Sequence, residues 1–240
     1  MRKKLIAANW KMNPPPMGWE ESDSPYQPRT EVEVAVFPAA LDLSACIEAG
    51  LAVGPQFARP EETGAFTGDI SLAMAKKLGC TYALSGHSDR RQFHGETDAF
   101  VAEQAKAALE LGLIPVICIG ETKAERDAGT AKQAIERQLK PLPMDARIIL
   151  AYEPIWAISR GDPTVKPATT ADAEEMHAFI RSLLPKNLQD KIRILYGGSL
   201  NAKNAKELLA QPNIDGGLIG GASLTPSEFQ RIIEASLEAA

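Results

Sequence analysis

The 240-residue chain reads as an α/β protein, a closed (β/α)8 barrel of eight parallel strands. Three observations predict it. Short apolar runs recur at fairly regular intervals, helix-forming stretches fill the gaps, and no linker, low-complexity tract or charge block divides residues 1–240, which form one expected domain. A doubly wound open sheet is the second architecture compatible with this alternation.

Strands are expected at 4–9, 32–37, 51–55, 80–85, 113–118, 147–152, 192–196 and 216–219. Each run is rich in Val, Ile, Leu or Ala with little polar alternation, as in strands covered on both faces. Helices are expected at 98–111, an alanine-rich stretch that stops at Gly112, at 171–184 before Pro185, and at 203–210 before Pro212. The first crossover departs from this rhythm. Pro14, Pro15 and Pro16, followed by Pro25 and Pro28, exclude a long regular helix, so a short or irregular one packed by Trp19 and Tyr26 is expected there.

Composition narrows the function. A hydrophobic content of 45% is enough for a full core, and a net charge of −5 disfavours a nucleic-acid or membrane surface. An anionic small ligand stays open, because one lysine and a few backbone N–H groups can dominate a pocket. Cys46, Cys80 and Cys118 lie in or beside apolar stretches without metal-ligand spacing and read as reduced, buried thiols. Residues 1–8 faintly resemble a secretory leader, but Asn9, Trp10 and Lys11 break the apolar run early. No later stretch is long enough to span a bilayer, so the expectation is a soluble, cytoplasmic protein.

Several apolar runs end abruptly in residues able to do chemistry. Glu153 follows a buried run and precedes Pro154; it suits a general base beside an apolar hinge at 155–158, or else a capping or ion-paired carboxylate. His87 stands where a run ends and polar residues can open a helix, a position for a neutral hydrogen-bond donor or for a structural histidine. Asn9 and Lys11 are two apart on an extended segment and should face one side. The turns 196–199 and 219–223 follow the last two expected strands, where barrels bind phosphate through backbone N–H groups.

Seven motifs carry a resemblance across essentially the whole chain. In order they are Ala8-Asn9-Trp10-Lys11-Met12-Asn13, Gly64-Ala65-Phe66-Thr67-Gly68, Ser85-Gly86-His87-Ser88, Cys118-Ile119-Gly120-Glu121, Ala151-Tyr152-Glu153-Pro154-Ile155-Trp156-Ala157, Tyr196-Gly197-Gly198-Ser199 and Gly220-Gly221-Ala222-Ser223-Leu224. The chain resembles the triosephosphate isomerase family. That resemblance implies a TIM barrel interconverting dihydroxyacetone phosphate and glyceraldehyde 3-phosphate through an enediolate, with no metal or organic cofactor. It implies Glu153 as the proton-shuttling base, neutral His87 as the group polarising the carbonyl, Lys11 as the offsetting charge and Asn9 as an orienting group. Ser199, Gly220 and Gly221 would grip the phosphate, joined by the lid near Ser159. Glu121 and Tyr196 would stand near the lid and Glu96 behind the site. Thr67 would enter a neighbouring subunit of a homodimer.

Three departures from the family pattern stand out. Asp89 replaces the glutamate of His-Ser-Glu-Arg-Arg, and its shorter side chain is expected to loosen a link to Lys11 and slow turnover. Residues 159–166 replace Gly-Thr-Gly-Lys with a longer, altered lid. The proline-rich first crossover is short and adjoins the expected interface. An isomerase of a related phosphorylated sugar, and a weakly catalytic phosphate-binding barrel, are the competing functional readings.

Overall fold

A computed structural model describes residues 2–158 and 164–239. Seven parallel strands carry the fold: β1 (Leu5–Asn9), β2 (Glu33–Phe37), β3 (Tyr82–Ser85), β4 (Ile114–Ile119), β5 (Ile149–Tyr152), β6 (Arg193–Tyr196) and β7 (Gly216–Ile219). They hydrogen-bond in the order β2-β1-β7-β6-β5-β4-β3, forming a nearly closed barrel whose two edges are β2 and β3.

The expected strand at 51–55 does not form as such. It makes one isolated bridge, Val36 to Val53, yet it hydrogen-bonds to both edges. Val36 N–H donates to Ala52 O at 2.9 Å, Tyr82 N–H to Val53 O at 3.1 Å, and Leu84 N–H to Pro55 O at 3.0 Å. The physical reason is local. Pro55 has no N–H to give a ladder. Gly54 passes so close to β3 that a Cβ there would stand 2.5 Å from the Tyr82 carbonyl oxygen.

Side-chain alternation divides the core into two layers. Leu5, Ala7, Phe37, Ile149, Ala151 and Leu218 form a cluster made of strand residues, facing the barrel interior. Ile6, Ala8, Val34 and Val36 face outward and pack with helix residues such as Ala105, Ile180 and Ile233. Fully burying a Leu or Ile side chain contributes roughly 1.5–3 kcal/mol, so both layers oppose a shift of strand register. The same period of two extends past the strand ends. Asn9 continues the inward stripe of Leu5 and Ala7, Glu153 that of Ile149 and Ala151, and Gly220 that of Leu218.

The described helices are α1 (Leu43–Glu48), α2 (Leu72–Leu78), α3 (Ser88–His94), α4 (Asp98–Glu110), α5 (Lys123–Asp127), α6 (Ala131–Leu139), α7 (Thr170–Leu183), α8 (Ala205–Leu209) and α9 (Pro226–Glu238). Helix α4 (Asp98–Glu110) starts where the Thr97 side chain accepts the Phe100 N–H. Helix α7 (Thr170–Leu183) opens with a reciprocal capping box between Thr169 and Asp172. Helix α8 (Ala205–Leu209) is shorter than the expected 203–210. Between β1 and β2 there is no helix. Successive turns, Trp19 N–H to Pro16 O, Ser24 N–H to Glu21 O and Gln27 N–H to Ser24 O, carry the chain, while Tyr26 is buried and Trp19 half-buried.

Candidate active site

The carboxyl ends of the strands surround a cavity of about 770 Å3. Asn9, Lys11, His87, Asp89, Glu153, Ser199, Gly220 and Gly221 all line it. Of the remaining expected site residues, Glu96, Glu121, Tyr196 and Thr67 stand outside that lining, and Ser159 lies outside the described residues.

Glu153 sits at the end of β5, only 3% exposed. Its Oε1 accepts the Nε2–H of His87 at 3.0 Å and its Oε2 accepts the backbone N–H of Ser88 at 2.8 Å. The close approach of the next strand leaves room for nothing larger than glycine at 197, where a Cβ would stand 2.8 Å from the Glu153 side chain. Burial pushes the Glu153 carboxyl up, but the hydrogen bonds from His87 and the Ser88 amide, with the Lys11 charge, outweigh it and hold the carboxyl below its ordinary value.

His87 caps α3 (Ser88–His94), and its Nδ1 accepts the Asp89 N–H at 3.1 Å. An accepting Nδ1 carries no proton, so the hydrogen sits on Nε2 and the ring is neutral. A neutral donor therefore faces a charged carboxylate inside the cavity. Cys118, buried behind Glu153, has its thiol pushed well up by burial and by that carboxylate.

Lys11 does not follow the extended geometry expected from its spacing to Asn9. Strand β1 ends at Asn9, and Lys11 adopts φ +51°, a left-handed conformation that costs a lysine about 1–2 kcal/mol. Three contacts hold it there. Its N–H donates to Asn9 Oδ1 at 3.1 Å, its carbonyl accepts Gln56 Nε2 at 2.7 Å, and its Nζ pairs with Asp89 Oδ2 at 2.9 Å. The last contact corrects the expectation for Asp89: the shorter carboxylate keeps its link to Lys11. A Cβ on Gly220 would stand 3.5 Å from Lys11 Cε, so the lysine stem lies against the glycine turn.

The residues outside the lining differ in their contacts. Glu96 accepts Arg90 Nε at 2.7 Å on α3. Glu121 is fully buried and accepts both Trp156 Nε1 at 2.7 Å and Tyr152 Oη at 3.0 Å. Burial raises its carboxyl above the ordinary range despite those bonds. Trp156 belongs to a short 3-10 turn, Ile155–Ala157, at the start of the expected lid. Ser199 Oγ donates to Ala157 O at 3.0 Å, joining that turn to the loop after β6. Tyr196 is buried, with no hydrogen-bond partner for its hydroxyl among the described residues. Thr67 stands in an exposed loop.

Three contributors escaped the sequence reading. Gln56 donates to both Lys11 O and Phe37 O, and its signal was present: it too ends an apolar run. The Ser88 backbone amide carried no side-chain signal. Arg126 had none either. Its guanidinium lies 3.8 Å from the Trp156 ring centroid and pairs with Asp172 Oδ1 at 2.8 Å, linking the two segments that flank the expected lid.

Among the described residues, no helix is long and apolar enough to cross a membrane. Comparison with known proteins agrees with this geometry. The family model described as triosephosphate isomerase matches residues 4–236. The chain is 44% identical to the triosephosphate isomerase of Paracidovorax citrulli, covering 98% of this chain and 99% of that protein. It is 43% identical to that of Albidiferax ferrireducens, over 98% and 100% of the two chains. With the Thermus thermophilus triosephosphate isomerase the identity is 42%, over 97% and 98%. A match that runs the length of the barrel and takes in every strand end at the cavity leaves one conclusion: this chain belongs to the triosephosphate isomerase family.

Proposed function

We propose that the protein interconverts dihydroxyacetone phosphate and D-glyceraldehyde 3-phosphate by proton transfer through an enediolate, serving glycolysis and gluconeogenesis. The observation that carries this reading is the buried Glu153 carboxylate facing the Nε2–H of neutral His87 at 3.0 Å, across a cavity that Lys11 also lines. A carbon acid is weak, so its base must be desolvated and its enediolate met by preorganised donors.

The hydrogen bonds suggest how the base is activated. A substrate oxygen taking the His87 Nε2–H removes one of the two bonds that keep the Glu153 carboxyl low. Movement toward the substrate carbon removes the other, from Ser88. Burial then dominates and strengthens the base. His87 donates to the carbonyl, Lys11 offsets the developing charge and Asn9 orients the substrate. Backbone N–H groups at Ser199, Gly220 and Gly221 hold the phosphate, with Ser159 of the lid. The reading requires no metal or organic cofactor.

The bonds from 51–55 to both barrel edges support an eight-fold closed barrel in a single domain. Large apolar side chains exposed next to the Lys11 and Thr67 segments, Met12 at 96% and Phe66 at 39%, support a homodimer with Thr67 at its interface. Three free, buried cysteines support a reducing, cytoplasmic setting.

The direct test is interconversion of the two triose phosphates by purified protein, with tetrose phosphates and Glu153→Asp alongside. Robust triose turnover that collapses in the variant is the expected result. A folded wild type without turnover, or one preferring the tetrose, defeats the proposal.

A further inference from the structure

Gly220 and Gly221, which line the cavity and would hold the phosphate, lack any side chain to fix them, so the rigidity of their turn must come from elsewhere. Gly220 adopts φ −87° and ψ −108°, and the 3-10 turn Gly221–Leu224 follows it. Within the turn, Gly220 O accepts both the N–H of Ser223 at 2.8 Å and its hydroxyl at 2.7 Å. The carbonyl of Ser223 points out of the turn and accepts the hydroxyl of Tyr26 at 2.6 Å.

Tyr26 comes from the helix-free first crossover and is completely buried. Its ring stacks on Phe229 of α9 (Pro226–Glu238) at 5.0 Å and meets Trp10 edge-on at 5.2 Å. Trp10 lies between Asn9 and Lys11 in the chain. One side chain thus touches both walls of the anion pocket, the Lys11 side through its ring and the glycine side through its hydroxyl. Burial pushes that hydroxyl far above the ordinary phenol range, so it stays a donor.

The geometry points to Tyr26 as a positioning residue for phosphate binding, whose hydroxyl anchors the Ser223 carbonyl and so aims the Gly220–Gly221 backbone at the ligand. The inference rests on the isomerase reading above. In this chain the proline-rich crossover does more than span the gap between β1 and β2. It delivers a phenol to the back of the phosphate turn.

Tyr26→Phe tests it, because the rings still pack and only the hydroxyl is lost. Inorganic phosphate is titrated by calorimetry, and turnover of glyceraldehyde 3-phosphate is measured in parallel. The phosphate Kd and the KM should both rise by about three- to tenfold, the size of a lost buried hydrogen bond. The kcat should stay within about twofold, since the loss is in binding shared by ground and transition states. Phe229→Leu loosens the same stack but keeps the hydroxyl; it should lower the melting temperature with the phosphate Kd unmoved. An unchanged Kd in Tyr26→Phe, with wild-type turnover intact, overturns this inference alone. Equal weakening in both variants also overturns it, by reducing Tyr26 to a packing residue. A wild type that neither turns over nor binds phosphate overturns it together with the isomerase reading.

Discussion

His87 Nε2–H donates to Glu153 Oε1 at 3.0 Å while His87 Nδ1 accepts the Asp89 amide, so the amide that opens α3 sets the tautomer that faces the carboxylate. The consequence is a pH dependence with a definite sign. The Glu153 carboxyl is held below its ordinary 4.5, so it stays ionised until the pH falls through that lowered value. In His87→Ala the burial remains and the hydrogen bond from the ring is gone. The midpoint of Glu153, followed by carbon-13 NMR of the labelled carboxyl, should move upward. The acid limb of kcat/KM should move with it. A midpoint that stays put would mean that Ser88 and Lys11 alone hold the charge.

Asp89 already reaches Lys11 at 2.9 Å, with both side chains about one-third exposed. A longer carboxylate gains little from such a partly solvated pair. Asp89→Glu should therefore leave kcat/KM within about threefold of wild type. Steady-state assays at low and moderate salt check this, and a tenfold gain would restore the view that aspartate is a handicap here.

Arg126 covers Trp156 at 3.8 Å and holds Asp172 at 2.8 Å, so it restrains both flanks of the segment between them. Arg126→Ala removes a cation–π contact worth roughly 0.5–2 kcal/mol together with the ion pair. The expected outcome is a change in Trp156 emission and a fall in kcat/KM of about two- to tenfold. Unaltered emission with unaltered kinetics would make Arg126 a bystander.

Thr67 is exposed in the Gly64–Gly68 loop, so a bulky charge there should cost the fold almost nothing. Thr67→Arg should leave the melting curve of dilute protein nearly unmoved and convert the proposed dimer to monomers. Light scattering coupled to size exclusion reads the mass directly. Monomeric wild type, or an unaffected dimer in the variant, would remove Thr67 from the interface.

Much of the barrel was legible because its information is local. Apolar runs of four to six residues mark the strands, and a period of two carries each inward stripe to Asn9, Glu153 and Gly220 without reference to anything distant. The strand expected at 51–55 stays unconfirmed for an equally local reason. The pattern at 51–55 is apolar, but Pro55 and the tight passage at Gly54 limit it to a bridge.

By itself, then, the chain's order of residues determined the alternating architecture, the set of chemical groups at the strand ends and their arrival at one end of the barrel. Only the tertiary structure decided how those groups are held. The Ser88 amide on Glu153 is a contact across 65 positions, Lys11 with Asp89 across 78, and Tyr26 with Ser223 across 197. Periodicity describes which face a residue occupies relative to its neighbours in the chain. It carries no distance between segments that meet only when the barrel rolls up, and those three contacts all depend on that distance.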